Sequence, residues 1–201
     1  MADIFPKTPK AIRARIRSYE RKLKQELEVR NGGDGYGKRF LLGPLYMLLG
    51  DVDGALASFD WYEKAYPGDG GDAYQYLTWA LTLYRKELRH EAFNKLYQTM
   101  LENLYLVPHL LGQNPQPLDI RHGSNLSEID CALDIPSELL DLWDEEARQW
   151  ALEVSEHPVV VEKVSRYIDI GRELQTEPVG PKRNALVREE SSLRNEQLSY
   201  F

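Results

Sequence analysis

Cysteine occurs once in the 201 residues, as Cys131, which excludes an intrachain disulfide framework and any all-cysteine metal site. Histidine is scarce too. His90, His109, His122 and His157 show no i,i+3 or i,i+4 pairing and have no cysteine beside them, so no metal-ligand spacing is present. Long apolar runs are missing: Phe40 to Gly50 is the longest, well short of the roughly 20 residues a spanning helix needs. The opening stretch MADIFPKTPKAIRARI lacks an uninterrupted apolar core, so no secretory signal is expected. No stretch alternates with period two over a convincing length, which leaves helices as the regular structure. These absences lead us to expect an all-α, soluble, cytoplasmic chain with no cofactor, no metal and no membrane partner.

Positive charge is outnumbered, 25 Lys and Arg against 32 Asp and Glu, for a net −7. That balance counts against nucleic acid and anionic membranes as general partners. The deficit is uneven. Residues 7–30 carry nine Lys/Arg against three Glu, a net +6, and with Asp3 contributing −1 this leaves −12 on residues 31–201.

What is present is mostly helical periodicity. Thr8 before Pro9 reads as an N-cap with proline at the first helical position. Ile12, Ile16, Tyr19, Leu23 and Leu27 then form one apolar stripe on a charged helix ending near Arg30. NGGDGYG, residues 31–37, is the clearest breaker in the chain. A helix from Lys38 to about Leu49, a turn at Gly50-Asp51 and a helix to about Tyr66 follow, with Pro44 expected to kink the first helix or shift its start. After the loop PGDGG, Asp72 and Gln75 have the spacing of a capping box. Helices are then expected over Ala73–Arg85 and from Glu91 to about Leu106. Pro136 opens a helix with Leu139, Trp143, Ala147, Trp150 and Val154 on one face, and Pro158 opens another through Leu174. Beyond Glu177-Pro178 only a weak stripe remains, through Leu186, Leu193 and Leu198, and a flexible polar tail is expected.

Within Lys38–Pro67, the residues Leu42, Gly43, Tyr46, Gly50, Ala55, Phe59 and Pro67 recur at the offsets of a helix–turn–helix repeat. This segment resembles a tetratricopeptide repeat of the bacterial type. In that family a small residue of the first helix packs against the alanine of the second. Ala80, Ala92 and Leu96 mark a second, degenerate copy, in which Glu87 stands where the turn glycine would be. The resemblance implies helical hairpins of α-solenoid type with flanking amphipathic helices, and a surface that binds other proteins. The expected organisation is a single domain. Residues 1–37 form a basic amphipathic helix and glycine-rich linker, 38–112 the repeat pair, 113–176 further helices of the same domain, and 177–201 the tail.

Candidate chemistry is thin. Gly32–Lys38 satisfies part of a phosphate-binding loop, but Arg39 follows where Ser or Thr is required and a helix precedes it in place of a strand. The carboxylates Asp141, Asp144, Glu145 and Glu146 fit the start of a helix, where the dipole favours them. Aromatic residues offer more, because they are enriched in binding hot spots. The candidate partner-binding set is Asp53, Asp60, Trp61, Glu63, Tyr74, Tyr76 and Trp79, an aromatic and acidic surface suited to a basic or amphipathic protein segment. The alternative for Trp61 and Trp79 is a place in the core of the repeats. The basic N-terminal helix has three readings: a cap on its own chain, a homodimer seam, or a nucleic-acid arm, the last disfavoured by the acidic remainder. The expected function is non-enzymatic protein recognition, as an adaptor, a chaperone-like binder or an acidic immunity protein. A small nucleotide-binding or hydrolytic enzyme without a recognisable motif is the alternative.

Overall fold

A computed structural model describes residues 4–28 and 37–199, and all regular structure among them is helical. In chain order the helices are α1 (Pro9–Glu28), α2 (Lys38–Leu48), α3 (Val52–Ala65), α4 (Ala73–Arg85), α5 (Arg89–Glu102), α6 (Leu106–Leu110), α7 (Ile129–Leu133), α8 (Ser137–Leu140), α9 (Glu145–Glu156), α10 (Pro158–Thr176) and α11 (Pro181–Asn195). They form two compact units. The first comprises residues 1–92 with 136–143, and the second residues 93–135 with 144–201. The glycine-rich linker of residues 31–36 and the terminal Tyr200-Phe201 lie outside the described residues.

In the first unit α2 packs against α1, α3, α4 and α8. Thr8 Oγ1 accepts from the Ala11 amide at 3.3 Å and starts α1. Ile12, Ile16 and Leu23 of its stripe are buried, so the seam that a homodimer would use is taken up within the chain. Pro44 neither delays nor ends α2, which begins at Lys38 and runs through the buried proline. The turn into α3 closes with the Asp51 amide on the Tyr46 carbonyl and the Gly50 amide on that of Met47. Gly50 supplies the left-handed residue this termination requires, at φ 73°. The Asp51 side chain then accepts from the Gly54 amide at 2.9 Å and caps α3.

Two glycine-size positions decide how closely these helices approach. A Cβ on Gly43 would lie 2.2 Å from the Phe59 ring. Phe59 in turn stacks on Trp79 of α4, with centroids 4.9 Å apart and planes 5° from parallel. Gly54 faces the Tyr46 ring in the same way, its Cβ position 2.5 Å away. Asp72 caps α4 by accepting from the Tyr74 and Gln75 amides at 2.9 and 3.2 Å. The return half of the expected capping box is not made, because the buried Gln75 amide bonds no protein group. At the far end of α4 the Leu88 amide reaches the Leu83 carbonyl, and Glu87 takes the left-handed conformation at φ 60°.

Two expectations for the later helices are corrected. The helix expected from Pro136 to Val154 is two helices. Leu140 ends α8, and Asp144 starts α9 by accepting from the Ala147 amide at 2.9 Å. The stretch expected as a flexible tail contains α11, packed on α10, with Leu186, Leu193 and Leu198 buried. Its partners are distant in sequence. Tyr97 Oη donates to the Leu193 carbonyl at 3.0 Å, and the Asn94 amide bonds both the N–H and the C=O of Leu198. Arg194 pairs with Glu102 at 3.0 Å and donates from Nε to the Tyr167 hydroxyl at 3.1 Å. His157, which precedes α10, makes no side-chain cap bond and sets its ring edge-on to Phe93.

Gly43→Ala should destabilise the first unit. Overpacking costs about 1–3 kcal/mol, against up to about 1 kcal/mol recovered from helix propensity. Thermal melting of Gly43→Ala with and without Phe59→Leu tests this, and the second substitution should restore part of the loss. Glu87→Gly should do the opposite. Relieving a left-handed non-glycine residue is worth about 1 kcal/mol, or about 2–4 °C in Tm for a chain of this size.

Candidate functional site

A groove in the first unit runs between α1 and α3 over α2. Its volume is about 670 Å³, and it is open to solvent on one side. Leu27, Leu42, Tyr46, Gly54, Ala57 and Trp61 give it an apolar lining, with Ser58 among them and Glu20, Lys24 and Glu28 along the α1 wall. The α3 wall is built from small residues at helical spacing, Gly54, Ala57 and Ser58, which leave the floor uncovered. Trp61 closes one end, its ring edge-on to Tyr66 at 5.7 Å. On the other wall Leu27 is the last member of the α1 stripe and is only half-buried.

Electrostatics along the groove are acidic on balance. Tyr46 Oη donates to Glu20 at 2.5 Å. Burial, followed by the Glu20 carboxylate, holds that phenol above the ordinary tyrosine range. The Tyr46 hydroxyl therefore stays a neutral donor at the groove wall. Asp60 and Glu63, exposed on α3, stand outside the groove lining.

The seven residues singled out from sequence do not share one surface. Of the seven only Trp61 lines the groove, and the exposed Asp60 and Glu63 lie on other faces of α3. Asp53 is exposed on the same helix, where Lys86 pairs with it at 2.8 Å. Tyr74 lines a separate cavity of about 250 Å³ with Ile4, Phe5, Gly37, Phe40, Asp72 and others. Tyr76 covers Gly71, whose Cβ position is 2.5 Å from the tyrosine ring, and leans on Trp79. Trp79 itself is 4% exposed and stacked on Phe59, so it is core and offers no surface to a partner. The α1 wall escaped sequence reasoning. Leu27 was visible there only as the end of a stripe, and nothing local marks Glu20, Lys24 or Glu28 as neighbours of α3.

A second cluster surrounds Arg39. Its Nε donates to Asp69 at 2.6 Å, and its guanidinium lies 4.1 Å over the Phe40 ring and 5.3 Å from that of Tyr66. The buried Tyr62 phenol beside it is held above its usual range, first by burial and then by the Asp69 carboxylate. This arrangement pins the 66–72 loop to α2.

For chemistry, the structure offers few groups. Among the described residues no three His, Cys, Asp or Glu side chains are grouped to hold a metal ion. No described helix is long and apolar enough to cross a membrane. Most of the candidate phosphate loop lies outside the described residues, but Lys38 is buried and pairs with Glu26 at 3.2 Å. Glu145 and Glu146 occupy the first turn of α9, behind the Asp144 cap. No protein family, curated protein or solved structure matches this chain.

Asp72, at the edge of the Tyr74 cavity, carries a pH prediction. Burial raises its carboxyl above the ordinary 3.8, and the Gln75 and Tyr74 amides offset only part of that. An acid raised in the folded state favours folding below its unfolded value and loses that contribution as pH rises through the folded value. Asparagine caps a helix about as well and carries no charge. Asp72→Asn should therefore gain on the parent as pH is raised from below 3.8 to neutrality, measured as the difference in Tm. A variant that falls further behind as pH rises would contradict this.

Proposed function

We propose that this chain is a non-enzymatic protein-recognition module of tetratricopeptide-like build, which takes a basic amphipathic helix into the groove between α1 and α3. The observation that carries this reading is an open, apolar trough between two helices, with a half-buried tryptophan at one end and an acidic margin. Helix-in-groove recognition places apolar anchors at i, i+3, i+4 and i+7 of the guest into such a trough. Trp61 has the character of a hot spot, large and amphipathic at low entropic cost. Glu20 and Glu28 against Lys24 give the α1 margin a net negative charge. A guest with lysine or arginine flanking its apolar face complements that charge, which favours encounter and register.

The close contact of Gly43 with Phe59 and the left-handed turn at Glu87 agree with a repeat-like hairpin followed by a degenerate copy. Adaptor, chaperone-like and neutralising roles all use this one surface, and they differ only in what the guest helix belongs to.

A photo-crosslinking residue at Ala57 tests the proposal, with the exposed Val187 as control position. Capture at 57 should exceed that at 187, and the crosslinked peptide should show apolar residues at helical spacing flanked by Lys or Arg. Trp61→Ala should weaken capture by about tenfold or more. Equal capture at both positions, or indifference to Trp61→Ala, rejects the reading.

A further inference from the structure

The outer side of α1 carries a straight row of cations. Lys10, Arg13, Arg17, Arg21 and Lys24 follow one another at spacings of three, four, four and three residues, and all five are exposed. At about 100° per residue they fall within roughly 80° of arc, and their Cα atoms span about 21 Å along the axis. None of the five has an ion pair or hydrogen-bond partner among the described residues, whereas Lys38, Arg39 and Lys86 of the same unit are all paired. The row holds no carboxylate until Glu28, and the buried stripe Ile12, Ile16 and Leu23 fixes it outward.

We infer that this row is a docking ridge for the phosphate backbone of a nucleic acid. The net acidity of the chain, which argued against such a partner, is not a property of this unit. The first unit carries 15 Lys and Arg against 15 Asp and Glu, and the entire −7 belongs to the second. Three partners could in principle answer a row of unpaired cations. An acidic peptide offers exposed ion pairs, which contribute little apiece. An anionic lipid surface asks for apolar or aromatic side chains to insert beside the cations. Here one flank of the row holds the exposed Ala14 and Gln25 with the half-buried Ser18, and the other the exposed carboxylate Glu20 and the half-buried Leu27, so no exposed large apolar or aromatic side chain stands beside the cations. A polyanion with condensed counterions is different, because each neutralised phosphate releases counterions and yields real affinity from charge alone. The three central arginines also suit phosphate oxygens, which their planar guanidinium groups bind in pairs. No amide or aromatic side chain projects within the row to read base edges, so the binding is independent of sequence.

The test is fluorescence anisotropy of the full chain with a labelled duplex of arbitrary sequence about 20 bp long, titrated at several salt concentrations between about 50 and 200 mM. Five phosphate contacts predict a slope of log K against log salt of about −4.5. Arg13→Gln/Arg17→Gln/Arg21→Gln should weaken binding at low salt at least tenfold and reduce the slope by about 2.7. A control with the same loss of charge, Arg172→Gln/Lys182→Gln/Arg188→Gln, should leave the slope unchanged. Circular dichroism melts of both variants confirm that they remain folded, and none of these six positions lines the α1–α3 groove. The inference is overturned by no duplex binding in the parent, by equal losses in ridge variant and control, or by tighter binding to poly-glutamate or to vesicles containing phosphatidylserine. Because the groove is untouched, loss of crosslinking at Ala57 and loss of duplex binding are separable outcomes.

Discussion

The absent side chain at Gly43 sets the geometry of the first unit. Phe59 occupies the space where a Cβ would stand, and the ring passes that close approach on to α4 by stacking on Trp79. A helix of ordinary side chains would hold α3 some ångströms further from α2. Tyr62 would then lose its edge contact with Phe40, and the Arg39–Asp69 pair that ties the 66–72 loop to α2 would have to span a wider gap. The groove depends on the same contact. It exists because α3 sits low on α2 and shows only Gly54, Ala57 and Ser58 to the space beside α1, so the floor reaches down to Leu42 and Tyr46.

Helix existence was legible wherever a cap and a stripe coincided. Thr8-Pro9, Asp51, Asp72 and Pro158 each stand at the start of a helix in the structure, and each acts through its own backbone neighbourhood. The misread stretches have one physical cause, the loss of local signal to distant partners. Leu139, Trp143, Ala147 and Trp150 keep helical spacing across the break between α8 and α9, because each half of the series is buried in a different unit. The three leucines of α11 and its tail look too sparse for a core. They are buried because Asn94, Tyr97 and Glu102, about a hundred residues earlier, satisfy the backbone and charge around them. At the groove Trp61 was recognisable as an anchor by residue type alone. Trp79 has the same type and the opposite fate, since a stacking partner on a neighbouring helix decides burial and composition does not.

Net charge illustrates the same limit on a larger scale. A value of −7 describes no surface of this protein. The second unit holds all of it, while the first divides a neutral total into a basic helix and carboxylates at the turns and along α3. A whole-chain average is a sound argument about solubility and non-specific binding only when charge is spread evenly.

The helix α1 therefore carries three duties on three faces: an apolar stripe toward α2, a groove wall toward α3, and the cationic row toward solvent. Like charges at i,i+3 and i,i+4 oppose helix formation by about 0.2–0.5 kcal/mol per pair, and the row contains four such pairs. Burial of Ile12, Ile16 and Leu23, at about 1.5–3 kcal/mol each before entropy is counted, outweighs that repulsion. A polyanion on the row would remove the repulsion and add its own contacts, so occupancy of the ridge and stability of α1 are thermodynamically linked. Lys24 and Glu28 lie where the row meets the groove wall. A change in the order of the last turn of α1 is thus the physical route by which ridge and groove would sense one another.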